Sequence, residues 1–69
     1  MEIYTVKEAA KILRIGPNKL RDMIKAGLID PLIFGNRALR ISSIELERFV
    51  LAAQGQNLAK VLSERGERE

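Results

Sequence analysis

The chain has 69 residues, 46% of them hydrophobic, with no cysteine and no histidine. This describes one small globular domain with neither a disulfide framework nor a thiolate or imidazole to bind a metal or act as a general base. No apolar run approaches the ~18 residues of a membrane span, and the N-terminus lacks signal-peptide form, so the composition implies an intracellular, soluble protein. The net charge of +3 is unevenly placed: Arg14 to Arg40 holds six basic residues against two acids, whereas residues 54–69 hold three of each. Basic charge in the middle of a chain is either a solvated face or the footprint of a polyanionic partner.

In chain order, "TVKEAAKIL" opens with Thr5 as a helix N-cap and Glu8 three residues later, the spacing of a capping box. Val6, Ala9, Ala10 and Leu13 follow at i, i+3, i+4 and i+7, which predicts a helix over about 5–14 with one small apolar face. Gly16-Pro17 ends the helical pattern, because proline fits the first position of a helix but not its interior. A second helix therefore starts at Pro17. It buries Leu20, Met23 and Ile24, with Leu28 just beyond it, and stops at Gly27 in a left-handed conformation. Two short helices joined by a few residues containing glycine form a helix-turn-helix.

Asp30-Pro31 marks a turn, and "LIF" and "ALRI" flank Gly35-Asn36 as a predicted hairpin over about 32–35 and 38–41. Its turn is centred on Gly35-Asn36 or on Asn36-Arg37. Ser42 then caps a third helix over about 43–53 with Glu45 as its capping-box partner, and Leu46, Phe49, Val50 and Ala53 are its predicted buried face. The expected architecture is mainly α with a small β-hairpin, a helix-helix-hairpin-helix arrangement built on a helix-turn-helix in residues 1–53. Residues 54–69 form a polar tail in which Asn57 caps a short turn carrying Leu58, Val61 and Leu62. That trio is either a frayed extension or a partner-binding segment.

The inventory speaks against an enzyme: no nucleophile–base pair, metal-ligand spacing or phosphate loop is present, so no catalytic residue, metal or cofactor is expected. Binding is better supplied. With Leu20, Met23 and Ile24 inward, the outer half of the second helix carries Asn18, Lys19, Arg21, Asp22 and Lys25 behind Pro17. Asn, Lys and Arg read base edges or hold phosphates, and the major groove admits a helix whose first turn reaches the bases. Asp22 either accepts from a cytosine amino group or pairs on the surface with Lys19 or Lys25. In the hairpin, Asn36 and Arg37 at the tip and Arg40 on the following strand can lie along a backbone or reach a minor groove. Arg40 can equally pack over Leu39 and the third helix.

"YTVKEAAKIL", the Gly-Pro start of a helix ending "IKAGLI", and "FGNRALRISSIELERFV" together resemble the excisionase-type, MerR-like winged helix-turn-helix domain. The resemblance runs from Tyr4 to about Val50. One departure is Gly16-Pro17, where that family usually has a serine or similar side-chain cap. The resemblance implies double-stranded DNA as partner, with the second helix in the major groove and the wing over the adjacent backbone or minor groove. Longer MerR-like regulators continue into a coiled-coil helix and an effector domain, for which this chain leaves no room.

A domain of this size is therefore similar to a phage or mobile-element excisionase, a recombination directionality factor, in a bacterial or phage setting and in the cytoplasm with the nucleoid. Such proteins bend DNA beside attachment sites and assist a tyrosine- or serine-type integrase, with head-to-tail cooperative self-association on DNA. By that analogy Leu58, Val61 and Leu62 contact the integrase or a neighbouring copy. A small MerR-like transcription regulator uses the same surface, and a protein–protein adaptor on the same scaffold is a further alternative.

Overall fold

In the computed structural model, residues 1–36, 38–56 and 60 are described. Among them the chain runs β1 (Ile3–Thr5), α1 (Val6–Leu13), α2 (Pro17–Lys25), β2 (Leu32–Phe34), β3 (Ala38–Ser42) and α3 (Ser43–Ala53). The three strands form one antiparallel sheet in the order β1-β3-β2. This is the expected small winged helix-turn-helix with one strand more than the sequence predicted.

The capping box of α1 forms as its spacing requires. Thr5 Oγ1 accepts from the Glu8 backbone N–H at 3.0 Å, and the Glu8 carboxylate accepts from the Thr5 N–H at 2.9 Å. At its other end α1 stops by placing Arg14 in the left-handed region, at φ 59°. The Ile15 N–H then reaches the Ala10 carbonyl at 3.0 Å and the Arg14 N–H the Lys11 carbonyl at 3.1 Å, which satisfies carbonyls the helix would leave open. Glycine occupies that position at little cost, whereas a residue with a Cβ is strained there by about 1 kcal/mol. Arg14→Gly is therefore expected to raise stability by ~0.5–1 kcal/mol, read as a higher midpoint in thermal or urea unfolding. A fall in the midpoint would show that the Arg14 side chain makes a contact outweighing the strain.

Helix α2 starts as the Gly-Pro pair dictates, with Gly16 as an N-cap lacking a side-chain acceptor and Pro17 in the first turn. It ends in a second turn of the same kind. Gly27 has φ 80°, and the Gly27 and Leu28 N–H groups each donate at 3.0 Å, to the Ile24 and Met23 carbonyls. Here the left-handed residue is the predicted glycine.

The core consists of Val6, Ala9 and Ala10 from α1, Leu20 and Met23 from α2, Ile29, Ile41 from β3, and Leu46 and Phe49 from α3. The two alanines allow α1 and α2 to approach closely. One expectation is corrected. Val50 is 40% exposed and so lies outside the buried face of α3, which is the narrower stripe of Leu46, Phe49 and Ala53 at i, i+3 and i+7. Ile29, in the loop after α2, is fully buried, a core residue the sequence did not mark.

The hairpin pairs Leu32 with Arg40, Ile33 with Leu39 and Phe34 with Ala38, which leaves residues 35–37 as a three-residue connection. Gly35 takes φ +50°, the positive value expected at the first turn position. β1 adds to the other edge of β3, with Tyr4 opposite Ile41 and Thr5 opposite Arg40. Its start is tied to α3: the Ser43 N–H donates to the Glu2 carbonyl at 2.8 Å and the Glu2 N–H to Ser43 Oγ at 3.0 Å. Among the described residues, no helix is long and apolar enough to cross a membrane.

Candidate nucleic-acid interface

What aims α2 is set first by how its far end is held. Ser42 caps α3 as expected, its Oγ accepting from the Glu45 N–H at 3.0 Å. The return half of that capping box does not form, which corrects the expectation. Ser42 already pairs with Ile3 in the sheet, and the Glu45 carboxylate turns to the Asp30 N–H at 2.9 Å and to Arg48. Arg48 grips Glu45 with two nitrogens, Nε at 2.8 Å and Nη2 at 2.6 Å, and Nη2 also donates to the Leu28 carbonyl at 2.9 Å. One carboxylate–guanidinium pair on α3 thereby fixes the 28–30 segment that leaves α2.

The Arg48 hydrogen bonds, joined by the Asp30 N–H, hold the Glu45 carboxyl below its ordinary value of 4.5 against a smaller opposing effect of burial. A carboxyl depressed in the folded state adds stability above its unfolded pKa and loses it as pH falls through the folded one. Glu45→Gln should therefore narrow its stability difference from the wild type as pH is lowered from about 7 to about 3, in melts across that range. A difference independent of pH would mean that the charge of Glu45 contributes nothing to the clamp.

At its near end α2 opens on a groove. The groove is walled by Thr5, Val6 and Lys7 at the start of α1, by Pro17, Asn18 and Arg21 on the first turns of α2, and by Leu39 and Arg40 of β3. Two helix N-termini thus converge on one depression. Each presents the positive end of its dipole; the capping box already occupies the Thr5 and Glu8 N–H groups at the start of α1, whereas Gly16 adds no side chain to cap α2. Lys7, Arg21 and Arg40 contribute three cations, and no wall residue is acidic. Such a depression suits an anion, and phosphate above all.

The sequence-predicted residues divide between this groove and its surroundings. Pro17, Asn18, Arg21 and Arg40 meet in it. Arg40 is half-buried beside the groove, with Nη1 donating to the Leu39 carbonyl at 2.8 Å. Lys19, Asp22 and Lys25 lie exposed on α2 outside the groove, and Asn36 lies exposed in the hairpin turn. Asn18, Arg21 and Lys25 fall at i, i+3 and i+7, a single stripe running about 10 Å along the helix from the groove.

The surface pair expected between Asp22 and Lys19 or Lys25 is not made, whereas Arg48 and Glu45 do pair. An exposed pair on one helix is worth only a few tenths of a kcal/mol, too little to hold two mobile side chains together. Arg37, Leu58, Val61 and Leu62 lie outside the described residues.

The sequence reading missed Thr5 and Lys7 as walls of the site. Their place follows from β1, which sets Thr5 across from Arg40. The available signal was "IYT", a short β-branched and aromatic run directly before the N-cap.

A family model described as a helix-turn-helix domain matches residues 3–54. Searches of the curated proteins and of the solved structures return no match.

Proposed function

From the premise that the chain belongs to the helix-turn-helix domain family, whose fold points to DNA as ligand, we propose that it is an excisionase-type architectural protein. On this reading α2 lies in the major groove, where Asn18, Lys19 and Arg21 meet base edges and Asp22 and Lys25 border them. Pro17 and the helix N-termini face the backbone. Asn36, Arg37 and Arg40 bring the wing to the next backbone or minor groove. The observation that carries the reading is the acid-free groove between the starts of α1 and α2, continued by the Asn18–Arg21–Lys25 stripe. About four to six phosphate contacts would give a logarithmic salt slope of roughly −4 to −5.

Contacts on two grooves favour a bent duplex, and a bent duplex favours assembly of a recombination complex. The partner would be a tyrosine- or serine-type integrase, with head-to-tail copies of this chain on adjacent sites and Leu58, Val61 and Leu62 as the contact segment. The deciding experiment is a reconstituted excision assay on attachment-site DNA with and without the protein. A strong increase in excised product supports the proposal. Tight site-specific binding to a promoter without any change in excision would replace it with a small MerR-like regulator, and weak binding blind to sequence would leave a protein–protein adaptor.

A further inference from the structure

The outer face of the wing carries an aromatic side chain that the core does not use. Phe34 ends β2 and is 54% exposed, and Leu32 is 39% exposed. Directly opposed residues of antiparallel strands share a face, and so do residues two apart. Leu32 opposite Arg40, Phe34 opposite Ala38 and Thr5 opposite Arg40 therefore lie on one side of the sheet, with Ile41 and Tyr4 on the other. Ile41 is fully buried, which identifies that other side as the core face. Phe34 stands farthest out, about 7 Å beyond the Leu32–Arg40 pair, and Ala38 is too small to cover its ring.

The charge around this ring selects its occupant. The described residues from Pro31 to Ile44 include Arg40 and no acid. Arg40, on the same face as Phe34, also walls the groove with Arg21 and Lys7. An apolar ring set in a cationic, acid-free surface complements a polyanion that has an apolar interior. Phenyl groups offer no hydrogen bond to a phosphate or a base edge, so what this ring gains from a duplex is the space between stacked base pairs.

We infer that Phe34 is a wedge that enters the minor groove beside the α2 site and partly unstacks one base step, producing the bend. The inference rests on the DNA-binding reading above and assigns the bend to one side chain.

The test uses a duplex enriched by the full chain from a random-sequence pool, dye-labelled at both ends, with 2-aminopurine placed in turn at each flanking position. Wild-type protein should raise energy transfer between the ends and increase 2-aminopurine emission several-fold at one step. Phe34→Ala should abolish both signals while weakening binding by no more than about tenfold, and Phe34→Leu should keep part of each. Thermal melts of both variants confirm folding, and Phe34→Leu keeps the test valid if the alanine variant is unstable.

Bending and emission unchanged in both variants would overturn the inference and leave the DNA-binding reading intact. So would a loss confined to self-association in sedimentation, since the face would then serve a second copy of the chain. Failure of the pool to yield any enriched duplex would remove the DNA-binding reading and the wedge with it.

Discussion

Leu20→Ala is expected to cost ~2–5 kcal/mol of folding free energy. Leu20 is fully buried, and it is one of the two α2 side chains that enter the core. A chain of 69 residues has roughly 3.5–10 kcal/mol of stability in all, so the variant should populate unfolded chains visibly at physiological temperature. Urea unfolding should show a lower midpoint at an unchanged slope, the mark of lost stability without a change in the surface exposed. DNA binding should fall with the folded fraction and recover when the temperature is lowered. A cost under about 1 kcal/mol would mean that the site repacks around the cavity, and that the remaining core contacts hold α2 without Leu20.

That prediction works from a residue whose place was legible in the sequence, and the reason is that its constraints are local. Gly16-Pro17 can only be a helix boundary, and Leu20, Met23 and Ile24 follow at helical spacing. Thr5 with Glu8 is complete within four residues. What the sequence left hidden depends on partners distant along the chain. β1 is three residues long and becomes a strand because β3 offers Ile41 and Arg40 as partners for Tyr4 and Thr5. Glu45 has the spacing of a capping box, yet Asp30 and Arg48 compete for its carboxylate and win. Ile29 follows a turn, where no periodicity marks a residue as buried, and it fills the core nonetheless.

The site divides in the same way. Helical period alone separates the outward Asn18, Lys19, Arg21, Asp22 and Lys25 from the inward stripe. Period does not say which of the outward residues meet the wing. That selection comes from the sheet: β1 brings Thr5 beside Arg40, and the turn at Arg14 and Gly16 sets the start of α2 next to the start of α1. Arg14 illustrates the limit from the other direction. The turn needs a left-handed residue, and the sequence supplies an arginine where glycine was the expected signal.

Arg21→Ala carries the largest functional effect. Arg21 is exposed, sits in the acid-free groove and shares its stripe with Asn18 and Lys25. On the proposed reading its guanidinium either grips a guanine edge with two hydrogen bonds or holds a phosphate at the groove. Removing a base contact should cost ~1–3 kcal/mol, about 5- to 150-fold in affinity for the enriched duplex, with a much smaller loss on a scrambled one. Loss of a phosphate contact instead weakens both duplexes alike and reduces the salt slope by about one. Lys25→Ala, at the far end of the same stripe, should behave in this second way. Because Arg21 is exposed, the alanine variant should melt within about 0.5 kcal/mol of the wild type, so a lost complex reports the contact and not the fold. Titrations of both duplexes at several salt concentrations separate these outcomes, and affinity unchanged on both duplexes would remove Arg21 from the DNA contact.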